Sequence, residues 1–247
     1  MIETLYIDND GKKIYGKLYL PEKEKCPLVI ISHGLGGHHD GSMDFAEDLS
    51  ENGIAAFIFD FCGGSYESKS DGKTTEMSVL TEAGDLECVL DHFLEDERID
   101  KDHIFLMGKS QGAFVSTIVS ARRKKQIKAL IGLYPGYVLQ HAAKEEAEKY
   151  EQLPDEIEVL WLKVGRNYIE DLLKTDIYEL MEDYEGDVLL VHGSADSIVP
   201  FEYTREAMDH FPHAKLIVLD GAEHGFHGPE REGVVKTVTA YVKERIS

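Results

Sequence analysis

Gly108-Lys109-Ser110-Gln111-Gly112 carries the most explicit chemistry in this 247-residue chain. A serine with a glycine two positions away on each side, after the apolar run 104–107 and before the helix-like run 113–122, fits a sharp strand-to-helix turn. Such a turn exposes the serine oxygen, and the helix start beneath it offers unpaired N–H groups to a developing oxyanion. Alone, the five residues are equally compatible with an ordinary turn. Serine is a poor nucleophile at neutral pH, so Ser110 needs a histidine base and an acid to orient it. His192-Gly193-Ser194-Ala195-Asp196 follows the apolar run 188–191, and Gly221-Ala222-Glu223-His224-Gly225 follows the run 216–219. Asp196 is the acid candidate and His224 the base, and the order Ser110, Asp196, His224 completes the set. A histidine base implies activity that falls on acidification, an unperturbed imidazole titrating at about 6.5.

Neighbouring residues compete for these roles. Asp196 could be a turn or helix-capping aspartate. His227 is a rival base, and Asp220 abuts its strand with less freedom to approach an imidazole. The expected oxyanion donors are the backbone N–H groups of Gln111 and of Leu35, within the loop Ser32-His33-Gly34-Leu35-Gly36-Gly37. His33 reads as a structural hydrogen-bonding residue. His38-His39-Asp40 looks like a ligand cluster, but adjacent side chains do not readily converge on one ion, so neither a metal nor a cofactor is expected.

Residues this far apart in sequence need a scaffold that brings strand ends together. Segments 4–7 and 14–20, joined by Asn9-Asp10-Gly11, predict an antiparallel hairpin. Segments 28–31, 54–59, 104–107, 129–133, 188–191 and 216–219 read as buried strands. Helix-like stretches separate them at 42–52, 78–94 and 113–122, and a last one closes the chain at 234–246. This alternation predicts an α/β fold: a mostly parallel sheet with helices on both faces, whose strand ends converge. The interval 135–186 breaks the rhythm, at roughly fifty residues where a crossover needs about a dozen. It holds a helical pattern at 142–150, an apolar run at 159–162 with the only tryptophan, and a second helical stretch. That stretch has Ile169, Leu172, Leu173, Ile177 and Leu180 on one side, with Asp176-x-x-Glu179 as a capping box that restarts it. The expected organisation is a core of residues 1–134 and 187–247 with an inserted lid at 135–186. The alternative is a longer connection packed on the core.

Lys and Arg total 26 against 47 Asp and Glu, a formal net charge of −21 that disfavours nucleic acid and anionic lipid as partners. The one basic cluster, Arg122-Arg123-Lys124-Lys125, sits where cations complement a helix C-terminus. No apolar run is long enough to span a bilayer, and the N-terminal residues lack a secretion-signal pattern, so the cytoplasm is the expected location. Cys26, Cys62 and Cys88 are odd in number and widely spaced, which argues against a disulfide framework. The expected partner is a small-molecule ester, with a homodimer left open.

The His33 to Gly37 loop, Asp60 with the glycines after it, the Ser110 turn and the Asp196 and His224 loops together resemble the α/β-hydrolase superfamily over nearly the whole chain. Length, lid position and the Ser-Gln pair are similar to the bacterial cinnamoyl (feruloyl) esterases, which release hydroxycinnamic acids from plant esters. The resemblance implies an α/β-hydrolase fold and a cofactor-free serine carboxylesterase. It also implies that Tyr168 binds the hydroxyls of a phenolic ring. A second lid residue of that group, an aspartate, is not matched; Ala142 falls about there. Another serine acyl hydrolase (aminopeptidase-like, acylglycerol lipase or thioesterase) and an inert binding protein on the same fold stay open as alternatives.

Overall fold

The computed structural model describes residues 1–246. An eight-stranded sheet runs through its centre. Strands β1 (Ile2–Asn9) and β2 (Lys12–Tyr19) form an antiparallel hairpin, with Asp10 and Gly11 both at positive φ (50° and 87°) at its tip. Those are the dihedral signs that the Asp-Gly pair supplies in a two-residue hairpin turn.

The chain continues through β3 (Cys26–Ser32), a 3₁₀ turn (His39–Ser42), α1 (Met43–Glu51), β4 (Ala55–Phe59), α2 (Val79–Glu95), β5 (Ile99–Lys109), α3 (Gln111–Arg122) and β6 (Ala129–Leu133). After α4 (Leu139–Ala147), β7 (Glu156–Val159), β8 (Leu162–Gly165), α5 (Arg166–Lys174) and α6 (Ile177–Asp183), the sheet resumes with β9 (Asp187–Gly193). It ends with α7 (Phe201–Ala207), β10 (Ala214–Leu219) and α8 (Gly228–Arg245). The strand order is β1-β2-β4-β3-β5-β6-β9-β10. β2 pairs antiparallel with β1 and β4, and every other pairing is parallel.

Central strands β3, β4 and β6 are buried at every position, as expected for a parallel sheet covered on both faces. One apolar layer packs under α1 and α8 and includes Val29, Ile31, Phe105 and Val238. The other packs under α2, α3, α5 and α6 and includes Ile30, Leu106, Phe114 and Leu172. α3 is buried from Gln111 to Ala121, held between α2 and α6. The sheet therefore presents β5, β9 and β10 side by side or nearly so, with the loops after all three at one end.

β6 and β9 are neighbours in the sheet, yet the chain makes a long excursion between them. Two features of it complete the sequence expectation. Residues 159–162, the apolar run, are not one continuous element. They form the tip of the β7–β8 hairpin, where Leu160 has φ 56° and Trp161 is 64% exposed. The second helical stretch is two helices, restarted at Asp176 as expected. Thr175 leaves helical geometry, and the Asp176 carboxylate accepts the N–H groups of Tyr178 and Glu179, capping a new helix. No helix among the described residues is long and apolar enough to cross a membrane.

Candidate active site

β5 delivers Ser110 into a turn too tight for side chains on either side. A Cβ on Gly108 would lie 2.3 Å from Ala113 N, and one on Gly112 would lie 2.4 Å from the His33 carbonyl oxygen. Ser110 itself has φ 51° and ψ −121°, a left-handed conformation that a non-glycine residue holds only at a cost of roughly 1–3 kcal/mol. The surroundings hold it there. Its N–H donates to Leu133 O (3.0 Å), and its carbonyl accepts from Gly136 N (2.9 Å) and Ala113 N (3.0 Å). Ser110 makes no side-chain cap bond to α3, so its hydroxyl is not spent on the helix.

Asp196 and His224 arrive on the loops after β9 and β10. His224 Nδ1 lies 2.7 Å from Asp196 Oδ2. A carboxylate only accepts, so Nδ1 carries the proton and Nε2 is left as the basic nitrogen. Asp196 is held by four donors. Oδ1 accepts the N–H groups of Ile198 (2.9 Å) and Val199 (2.8 Å), and Oδ2 is shared by His224 and His192 Nε2 (3.0 Å). Burial works to raise its pKa, but the hydrogen bonds from His192, His224 and Val199 outweigh it and hold the carboxyl well below the usual range. Asp220 is engaged elsewhere, accepting from Ser194 Oγ (3.2 Å), and His227 is exposed at the start of α8.

His192 was not singled out by its spacing. Fully buried, it meets Asp196 with one nitrogen and Thr204 Oγ1 (2.6 Å) with the other. The Tyr134 ring stands edge-on to His224 at 4.6 Å, closing another side of the imidazole.

The loop after β3 supplies the opposite wall. His33 is buried and accepts the Phe61 N–H at Nε2 (3.0 Å), so its proton sits on Nδ1, which donates to Gly34 O (2.8 Å). Burial lowers its pKa to about 4, keeping it neutral, which fits the structural role expected of it. Leu35 follows at the mouth of two cavities. Gln111 is the first residue of α3, so its N–H has no partner within the helix. Gln111 directly follows Ser110, and Leu35 lines both cavities that Ser110 borders.

The Gln111 side chain makes a second connection that the sequence did not reveal. Its Oε1 accepts from the Tyr168 hydroxyl (2.6 Å), and its Nε2 donates to Glu82 Oε2 (2.8 Å). All three residues are buried, and Glu82 Oε1 has no hydrogen-bond partner. Burial raises the Glu82 pKa to about 8, against the Gln111 hydrogen bond and helped by nearby Asp85, so Glu82 is mostly a neutral acid at pH 7. One signal was available: Glu82 lies on the apolar stripe of α2 with Val79, Leu86 and Val89. A folded pKa above the unfolded value means Glu82 contributes stability below about pH 4.5 that is lost as pH rises through about 8. Glu82→Gln removes this titration, so its melting temperature is expected to fall less than the wild type's between pH 5 and 9. Parallel curves in thermal melts across that range would refute the assignment.

Two cavities meet at Ser110. The first, about 530 Å³, is lined by His224, Lys109, Tyr134 and Trp161 among others. The second, about 330 Å³, runs under α4 and α5 past Leu139, Ala142, Tyr168 and Leu172. Leu35, Ser110, Leu160 and Ile198 border both. His38, His39 and Asp40 do bring donor atoms within 4.8 Å of one another, closer than adjacency suggested. Each already has protein partners: His39 Nδ1 meets Asp60 (2.8 Å), Asp40 meets Lys17 (3.2 Å) and His38 meets Glu67 (3.3 Å).

Comparison with known proteins agrees with this architecture. Residues 23–175 match the family model described as serine aminopeptidase, S33, and residues 174–245 match that of TAP-like proteins. The solved structure of Est1E from Butyrivibrio proteoclasticus with ferulic acid bound superposes with a TM-score of 0.90 at 29% identity, over 98% of this chain and 99% of that one. The proline iminopeptidase of Thermoplasma volcanium is 30% identical over 131 residues, 52% of this chain and 41% of that protein. Mouse monoglyceride lipase is 26% identical over 133 residues, again 52% and 41%. The chain thus matches less than half the length of these two relatives. A half-buried serine on a glycine-flanked turn at the junction of two cavities, an Asp–His pair on adjacent strand-end loops and the matched family model lead to one assignment: the chain belongs to the serine aminopeptidase S33 family and is a serine hydrolase of the α/β-hydrolase superfamily.

Proposed function

We propose that the protein is a carboxylesterase that works through an acyl-enzyme and takes hydroxycinnamoyl esters of the feruloyl type. His224, oriented by Asp196, removes the Ser110 proton as the oxygen attacks the ester carbonyl. The N–H groups of Leu35 and Gln111 hold the oxyanion, and His224 protonates the departing alcohol. Water then repeats the cycle on the acyl-enzyme. Residues 135–186 act as a lid, contributing Leu139, Ala142, Tyr168 and Leu172 to the second cavity.

The observation that carries the substrate class is the Tyr168 hydroxyl in an otherwise largely apolar cavity that begins at Ser110. Its hydrogen is committed to Gln111 Oε1, so towards a ligand it offers lone pairs, which suit a phenolic O–H donor. The likeness to a structure with ferulic acid bound supports the same reading. Ala142 lines this cavity without a polar atom, so Tyr168 carries the recognition.

Initial rates on methyl ferulate, methyl cinnamate, a monoacylglycerol and a prolyl amide test the proposal. Methyl ferulate is expected to lead the last two by at least about tenfold in kcat/KM, a difference of about 1.4 kcal/mol. Tyr168→Phe should shrink the ferulate-to-cinnamate ratio by about fivefold, the worth of one neutral hydrogen bond. A lead for the glycerol ester or the amide would move the protein to the lipase or peptidase activities of its relatives.

A further inference from the structure

Only one of the two cavities at Ser110 holds His224. The departing alcohol takes its proton from the histidine, so under the esterase reading above, on which this inference rests, the first cavity receives the alcohol and the second the acyl group. The alcohol cavity contains an unexpected charge. Lys109, the residue before the nucleophile, is only 7% exposed and lines this cavity together with Gly41.

An ammonium carries three donors. Lys109 Nζ uses one on Gly41 O, at 2.6 Å, and among the described residues no carboxylate lies within ion-pair distance of it. Asp44 is the carboxylate whose charge bears on it, but Arg231 holds both of that residue's oxygens (2.5 and 2.7 Å) and also donates to Gly41 O (2.7 Å). Two cations therefore share one carboxylate and one carbonyl, so Lys109 has no counter-ion of its own; the acidic residue that lines the same cavity, Glu67, lies at its exposed rim, 3.3 Å from His38. Of the other groups facing this spot, His33 and Tyr134 are neutral, His38 is paired with Glu67 at the exposed rim, and His224 is paired with Asp196.

We propose that Lys109 forms an anion subsite for the leaving group, selecting esters whose alcohol portion bears a carboxylate. One uncompensated charge beside the Gly41 carbonyl oxygen suits a monoanion. A phosphate dianion would need more donors than the site offers. Burial lowers the Lys109 pKa to about 7, with Arg231 adding to the effect and Asp44 opposing it. A bound carboxylate relieves that penalty and draws the amine back to its charged form. The overall charge of −21 slows the approach of anions at long range, whereas the buried cation acts at contact, where screening is weak.

The test uses two chromogenic esters of one acyl group, 4-nitrophenyl and 3-carboxy-4-nitrophenyl, with the ratio of their kcat/KM values as readout. Lys109→Met is expected to lower the carboxylated-to-neutral ratio by about tenfold or more, chiefly through KM, and Lys109→Arg to retain much of it. In the wild type the ratio should fall as pH rises from 6 to 9, because the amine loses its proton while His224 affects both esters alike. This second measurement decides the matter if the Met variant does not fold. A ratio within twofold of wild type in folded Lys109→Met, or a flat wild-type ratio across pH, overturns the proposal. Loss of both hydrolyses in Ser110→Ala beside an unmoved ratio would sink the subsite alone. Wild-type rates in Ser110→Ala would sink the esterase reading itself.

Discussion

Ser110→Ala is expected to lower kcat on a short-chain aryl ester by about 10⁴ to 10⁶-fold while leaving the fold intact. The substitution removes only the hydroxyl. The strained turn is held by main-chain bonds from Ser110 to Leu133, Ala113 and Gly136, none of which involves the side chain. Alanine occupies a φ of 51° about as poorly as serine, and the hydroxyl makes no helix cap, so the stability change should stay within about 0.5 kcal/mol. Thermal melts and active-site titration with a fluorophosphonate separate chemistry from folding. The wild type should label at one serine and the variant at none. Near-normal turnover in folded Ser110→Ala would remove this residue from the reaction.

Asp196→Asn should cost about 10³ to 10⁴-fold in kcat, the second largest effect expected. All four hydrogen bonds to Asp196 come from donors, two on each oxygen. An asparagine amide therefore faces two N–H groups whichever way it turns. Turned towards the histidines, it makes His224 Nδ1 an acceptor and places the proton on Nε2, the tautomer that cannot take a proton from Ser110. Turned away, it confronts Ile198 and Val199 and leaves His224 a weaker neutral acceptor. The variant should also lose about 1–3 kcal/mol of stability.

The pH dependence adds a check. A depressed folded pKa means that Asp196 contributes stability above the unfolded value of about 3.9, lost as pH falls through the folded one. The Asn variant should lack that share of the acid-induced loss. Equal kcat for Asp196→Asn and wild type, with Asp220→Asn impaired instead, would transfer the role to Asp220.

The strands and helices of the core were legible because their signals are local. Apolar residues alternate or run continuously along each segment, and Asp10-Gly11 and Asp176 mark a turn and a cap by their own chemistry. The excursion between β6 and β9 was less so. Its apolar run at 159–162 stands out by hydropathy with no place in the fold attached to it, and Trp161 lies exposed over Gly36, its Nε1 2.7 Å from where a Cβ on that glycine would sit. Hydropathy carries no information about which surface a hairpin tip meets.

The sequence by itself determined the glycine-flanked turn at Ser110, the α/β alternation, the order Ser110, Asp196, His224 and a structural rather than chemical part for His33. Each rests on residue type, spacing or a strand end, properties that the chain carries before it folds. Tertiary structure alone decided that His192 shares the Asp196 oxygen that meets His224, that the neutral form of His33 is fixed by burial and the Phe61 N–H, and that Tyr168 reaches Glu82 through Gln111. It alone buried Lys109 with one carbonyl for a partner. These are contacts between residues tens of positions apart, whose distances and desolvation exist only once the sheet has closed on its helices. Hydrogen bonding and pKa follow from those distances, so spacing along the chain could name the residues but could not settle their partners.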